Sequence, residues 1–304
     1  MSKILLENYA WLIETIHNAG TITLKGINKK WMDEERGDKP IPPRTFHDWK
    51  NAAEELFGVN IGCQRKGGYM YYIEHPENID ATGLRRWLLN SIYVNNLLAK
   101  NLEIKDRILI EEIPSSTKHL SAILDSIKKN KTLKITYKSF DKTDSHTFEA
   151  QPYCLKLFRQ RWYLISYNTE EQRLKTYALD RVQALEITPM TFSVPKTFNA
   201  SKQFKNYFGI TIGTTNVENI KIKVTAKQAK YFRTLKLHHS QKEIETTQDY
   251  SIFTYKLCPE YDFKREILSN GDAVEILEPQ WLRKEIAQTI SKVNNIYNSQ
   301  IYQK

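Results

Sequence analysis

Between residues 137 and 181 the chain carries a set of side chains suited to holding a flat anion. They are Tyr137, Ser139, His146, Arg159, Tyr163, Lys175, Tyr177 and Arg181. Aromatic rings stack on bases, Arg and Lys neutralise phosphates, and Ser and His supply directional hydrogen bonds. A second reading of Arg181 stays open, in which it pairs with Asp180 or another carboxylate and stiffens a hairpin. No group of residues offers catalytic chemistry: there is no G-x-S-x-G, no H-E-x-x-H and no Gly-rich phosphate loop, so no enzyme is expected. His238 and His239 adjoin in a polar patch, but no Cys or carboxylate stands at ligand spacing. Neither a metal nor any other cofactor is expected.

These residues need a pleated scaffold. Leu133 to Lys138 alternates as a strand does, His146 to Ala150 is a second, Tyr153 to Phe158 a third, Arg161 to Tyr167 a fourth and Lys175 to Val182 a fifth. Short strands with tight turns over residues 131–195 predict a small SH3-like or Sm-like barrel. Alternation puts Arg159, Arg161, Tyr163 and Ile165 on one side of the fourth strand, and Trp162 and Leu164 on the other. Tyr177, Leu179 and Arg181 share a side of the fifth. Trp162 and Leu164 are then core. Tyr137, Tyr163, Tyr177 and Arg181, with Ser139, His146 and Arg159, form the binding surface.

The run Arg161-Trp162-Tyr163-Leu164-Ile165, followed by Tyr177-Ala178-Leu179-Asp180-Arg181-Val182, resembles the WYL domain. Ile135-Thr136-Tyr137 and Gln151-Pro152-Tyr153 extend the resemblance. It implies a sensor of nucleic acid or nucleotide-like ligands, commonly attached to a DNA-binding head in bacterial transcriptional regulators. The chain departs at Lys175, where many WYL domains have Arg. A Lys ammonium is a point charge and cannot make the planar fork of Arg.

Residues 1–75 read as such a head. Leu5, Leu6, Tyr9, Leu12, Ile13 and Ile16 lie on one helical face, ended by Asn18-Ala19-Gly20. Thr23 is a plausible N-cap for a second helix, with Leu24, Ile27 and Trp31 inside. A third helix starts near Pro43 with Phe46, Trp49, Ala53 and Leu56 inside, and a hairpin turns at Lys66-Gly67-Gly68. Three helices and a hairpin predict a winged helix-turn-helix. Its DNA contacts would be Arg44, Thr45, His47 and Lys50 on the third helix, Arg65 and Lys66 at the wing, and Lys25 and Lys29 on the second helix. A protein-interaction module with a polar face is the other reading. The head balances ten Lys and Arg against ten Asp and Glu, so net charge does not argue for DNA.

Residues 76–130 predict a helical connector. Pro76 and Asp80-Ala81-Thr82-Gly83 open it, Leu84, Trp87, Leu88, Ile92 and Leu97 suggest a helix, and Ser115-Ser116 could cap another with Leu120, Ile123, Leu124 and Ile127. It is a spacer or a dimerisation arm, and a palindrome-reading head favours the arm. Residues 196–304 open with an aromatic linker (Phe198, Phe204, Tyr207, Phe208). An α+β unit of ferredoxin-like flavour follows, resembling the extension that commonly comes after WYL domains.

The 304 residues carry a net charge of +10, and the excess lies past residue 130, which fits an anionic ligand there. Cys63, Cys154 and Cys258 are far apart and predict buried free thiols. No apolar run reaches a membrane-spanning length, and no signal peptide is read at the start, so a cytoplasmic protein without a membrane partner is expected. The expected partners are a double-stranded DNA operator, a nucleic acid or nucleotide-like ligand, and a second copy of the chain. The alternative is an accessory binder of RNA or single strands, in which the barrel and tail are the main surface.

Overall fold

Capping chemistry sets where the first helices start and stop. Helix α1 (Lys3–Ala19) ends at Gly20, whose φ of 68° is open to glycine. Strand β1 (Ile22–Thr23) leads into α2 (Leu24–Asp33), where Thr23 Oγ1 accepts from the Gly26 amide at 3.1 Å. Helix α3 (Pro43–Phe57) begins on two prolines and closes on left-handed Gly58. Strands β2 (Ile61–Gln64) and β3 (Met70–Ile73) form the expected hairpin. β1 adds a third strand to it, giving the order β1-β3-β2. Two residues are too few to show alternation, so the sequence did not announce β1.

The computed structural model describes residues 3–77, 83–109 and 117–301, and it is a mixed α+β chain of two units, 1–111 and 112–304. Asp80-Ala81-Thr82 and Ser115-Ser116 lie outside the described residues. In the first unit Trp11, Leu12, Ile13, Ile27 and Phe46 are fully buried or nearly so, and Phe46 meets Tyr71 edge-on at 4.6 Å. Each such side chain contributes roughly 1.5–3 kcal/mol through burial. Helix α4 (Leu84–Lys100) adds Leu89, Ile92 and Tyr93 to this core. Arg86 Nη1 also donates to Glu14 Oε1 at 2.8 Å. Leu84, Trp87 and Leu88 remain exposed on α4.

The second unit opens with α5 (Leu120–Lys129), which the sequence placed in the connector. Its Ile123 is fully buried among Leu133, Ile135 and Leu164, so α5 is part of the sheet's core. The sheet runs β7-β6-β5-β4-β8, all antiparallel. Its strands are β4 (Lys131–Tyr137), β5 (His146–Phe158), β6 (Arg161–Asn168), β7 (Arg173–Ala178) and β8 (Val182–Thr191).

Two strand assignments need correction. The expected second and third strands are the single long β5, which bends at an irregularity between Pro152 and Cys154, where proline cannot donate. The expected fifth strand stops at Ala178. A 3-10 turn, Leu179–Arg181, then starts β8, which the sequence reading missed. The β5–β6 turn is tight because Arg159 (φ 47°) and Gln160 (φ 63°) both sit in the left-handed region.

A linker with a short helix, α6 (Ala200–Phe204), leads to β9 (Glu218–Thr225), α7 (Ala226–Thr234), β10 (Lys242–Thr246), β11 (Tyr250–Leu257), α8 (Tyr261–Ser269), β12 (Val274–Glu278) and α9 (Gln280–Ile301). The antiparallel sheet has the order β10-β11-β9-β12, and Ile220, Ile222, Phe253 and Tyr255 meet Phe232, Phe263 and Leu282 from the helices. Every residue of β10 is exposed, so its sequence shows no apolar alternation.

Carboxylates at the start of α8 hold the linker. Asp262 Oδ2 accepts from the Ile210 and Thr211 amides, both at 2.8 Å, and Glu260 accepts from the Thr215 amide at 2.9 Å. Phe208 lies between Phe158 of β5 and Phe263 of α8. Among the described residues no helix is long and apolar enough to cross a membrane. Cys258 is buried and Cys154 half-buried, but Cys63 is exposed on β2, against expectation.

Candidate ligand site and nucleic-acid surface

The strand register decides which rings come together. Leu164 of β6 pairs with Tyr177 of β7, so these two share a face, and Tyr163 takes the opposite one. Tyr163 is therefore buried away from Tyr177, and its assignment to the binding surface is corrected. Arg159 is also elsewhere: it forms an ion pair with Glu266 of α8 and ties the β5–β6 turn to the last domain. Of the expected pair Trp162 and Leu164, Leu164 is core and Trp162 is partly buried against it.

The remaining candidates meet in one recess of about 250 Å³, which Tyr137, Ser139, His146, Lys175, Tyr177 and Arg181 help to line. Rings form its floor. Phe148 stacks on Tyr177 with centroids 4.9 Å apart, and Tyr137 meets Tyr177 edge-on at 5.2 Å. Burial pushes the Tyr177 hydroxyl up to about 12 and raises that of Tyr137, so both are neutral hydrogen-bonding groups at neutral pH.

Cations form the wall: Lys142, Lys175 and Arg181. Glu171 opposes them. Its carboxylate accepts from Lys175 Nζ at 2.5 Å and from Arg173, and these bonds hold its pKa below the usual carboxylate value. His146 Nε2 lies 2.9 Å from Glu170 Oε2. The recess thus joins stacked rings to a partly neutralised cationic rim, an arrangement chemically suited to a planar group carrying negative charge.

Several lining residues were not foreseen: Lys142, Phe148, Asn168, Glu171 and Thr176. Phe148 was within reach of the sequence, because it stands two residues from His146 on the same strand face. Asn168 was not, because its role is a turn: its Oδ1 accepts from the Glu170 and Glu171 amides.

In the first unit, Arg44, His47, Asp48 and Asn51 are exposed at helical spacing along α3, and Thr45 is half-buried. Lys25 and Lys29 are exposed on α2, and Arg65 and Lys66 at the β2–β3 turn. Lys50 does not join them. Its Nζ lies 2.9 Å from Glu54, one turn along α3, and Glu54 Oε1 also accepts from the Ile61 amide at 2.7 Å, so Glu54 braces α3 against β2 and Lys50 is paired to it.

The adjoining histidines serve the linker. His238 Nε2 and His239 Nε2 lie 2.8 and 2.7 Å from the Lys205 carbonyl. Among the described residues no three His, Cys, Asp or Glu side chains converge as metal ligands do.

The WYL domain family model matches residues 118–187, from α5 into β8, and the WCX domain model matches residues 216–293. No curated protein matches the chain. Among solved structures, proteasome accessory factor B/C (PafBC) of Arthrobacter aurescens is similar at 14% identity and a TM-score of 0.36, over 93% of this chain and 45% of that one. A CRISPR Cas-related protein is similar at 13% identity and a TM-score of 0.39, over 98% of this chain and 84% of that one. The chain spans less than half the length of the PafBC chain, and scores this low settle no shared architecture. The two family matches give one conclusion: the chain carries a WYL domain, followed by a WCX domain.

Proposed function

We propose that this protein is a DNA-binding transcription regulator controlled by a nucleic acid or nucleotide-like anion bound in its WYL domain. The first unit is read as a winged helix-turn-helix, the WYL sheet as an Sm-like fold and the WCX domain as ferredoxin-like. In this reading α3 lies in the major groove, with Arg44 and His47 at base edges and Arg65 and Lys66 on the phosphates. The exposed Leu84, Trp87 and Leu88 of α4 suit contact with a second copy, since a two-fold operator asks for two heads. The ligand acts only as far as it prefers one arrangement of the heads over the other.

The observation that carries the reading is a pairing within one chain: an exposed Arg44–His47 stripe on a capped helix, and a recess of stacked rings rimmed by Lys142, Lys175 and Arg181. Gel-shift binding to duplex from the upstream region of its own gene, against scrambled duplex, tests it. Sequence-preferring binding is expected, lost in Arg44→Ala and kept in Arg181→Ala. Equal binding to every duplex, or to single strands alone, would sink it. That result would favour an accessory single-strand binder, a reading supported by the positive charge past residue 130.

A further inference from the structure

Arg181 stands between two recesses. Beyond the one described lies a second, of about 310 Å³, lined by Lys138, Phe140, Asp180 and Gln183. Ser139, Lys142 and Arg181 line both.

Phe140 is unusual for an aromatic residue. It is 75% exposed, and the Arg181 guanidinium lies 3.6 Å from its ring centre. One ring face is therefore covered by a cation and much of the rest is left to solvent. The second recess also holds unused hydrogen-bonding capacity. Asp180 Oδ1 and Arg181 Nε are buried without a hydrogen-bond partner, although Asp180 Oδ2 lies 3.3 Å from Arg161. Buried polar atoms ordinarily have partners, so these two point to a group that arrives with the ligand.

We propose that the second recess is a binding subsite for a second nucleotide, and that the ligand is a single strand of at least two units. This rests on the reading of the first recess as a nucleotide site. One base lies against Phe148 and Tyr177. The phosphodiester crosses the shared boundary, where Ser139 donates a hydrogen bond and Lys142 and Arg181 supply charge. The next base stacks on the bare face of Phe140 and presents its edge toward Asp180. A free mononucleotide fills one recess and leaves Phe140 idle.

Short probes keep the DNA-binding head out of the test, since a dinucleotide is too small to span a groove. Calorimetric binding to the full chain at fixed salt would compare thymidine monophosphate with the 5′-phosphorylated thymidine dinucleotide, and the matching uridine pair. In at least one sugar series the dinucleotide is expected to bind about tenfold tighter than its mononucleotide, the gain from one added stack. Phe140→Ala should erase that gain and leave mononucleotide affinity unchanged. Phe140→Trp should keep it. Equal affinity for both lengths in both series overturns the second subsite alone, as does an equal loss for both lengths in Phe140→Ala. Binding of neither length overturns the first-recess reading as well. Phe140 is too exposed for its replacement to unfold the domain, so each outcome reads on binding.

Discussion

Asn168 Nδ2 donates a 2.8 Å hydrogen bond to the Tyr177 hydroxyl in the interior of the WYL sheet. The same side chain accepts from the amides of Glu170 and Glu171 through Oδ1. One amide group therefore fixes both the β6–β7 turn and the ring at the base of the recess. Asn168→Ala removes a buried donor and leaves two turn amides without their acceptor. A loss of about 2 kcal/mol is expected in urea unfolding, together with weaker ligand binding. A variant as stable as the parent would show that the turn holds itself.

If the recess takes the proposed anion, Glu171 is its internal competitor. It takes up Lys175, which would otherwise face an incoming phosphate. Glu171→Gln should raise affinity for an anionic ligand by about three- to tenfold at low salt, with a steeper loss as salt increases. Unchanged affinity across a salt series would mean that Lys175 takes no part in binding.

In the head, Glu14 is 7% exposed and its partner is Arg86 of α4. Arg86→Met strands a buried carboxylate and should cost about 2–3 kcal/mol. Glu14→Gln combined with Arg86→Met should recover part of that loss, because the two residues act as a pair. A double-mutant cycle by urea unfolding checks this, with Trp11, Trp31 and Trp49 as the fluorescent reporters. Strict additivity would dismiss the ion pair as a stabilising contact.

Lys156 links the WYL sheet to the linker. Its ammonium bonds to the Gly209 carbonyl and lies 3.9 Å from the Phe204 ring centre. Burial lowers its pKa to about 8, only partly offset by Asp262. The unfolded chain therefore binds more protons at this site between about pH 8 and the ordinary lysine value near 10.4, and its contribution to stability rises with pH there, by about 1–3 kcal/mol in all. Lys156→Met should flatten that rise relative to the parent when unfolding is measured from pH 7 to 10. Identical slopes would count against a depressed pKa.

Local chemistry was legible in the sequence where it acts over a few residues. Thr23, Pro43 and Gly58 bounded helices as capping predicts, and Ile220, Ile222 and Val224 showed the inner face of β9. Long-range pairing was less legible. Tyr163 and Tyr177 both looked outward along their own strands, and only the Leu164–Tyr177 register separates them. Arg159 read as a pocket cation because nothing in its neighbourhood names Glu266, more than a hundred residues on. Helix α5 looked like connector because its amphipathic face does not say which sheet it meets.

Successive residues of a strand face opposite ways, and β7 uses both. Tyr177 and Lys175 turn their side chains to the ring-floored recess, while Thr176, which also borders it, sends its Oγ1 the other way to donate to the Ile210 carbonyl at 3.1 Å. Ile210 is itself gripped by Asp262 of the WCX domain. β7 is thus a shared beam: the strand that carries a ring and a cation of the recess also holds, through one hydroxyl, the strap that joins the WYL sheet to the WCX domain.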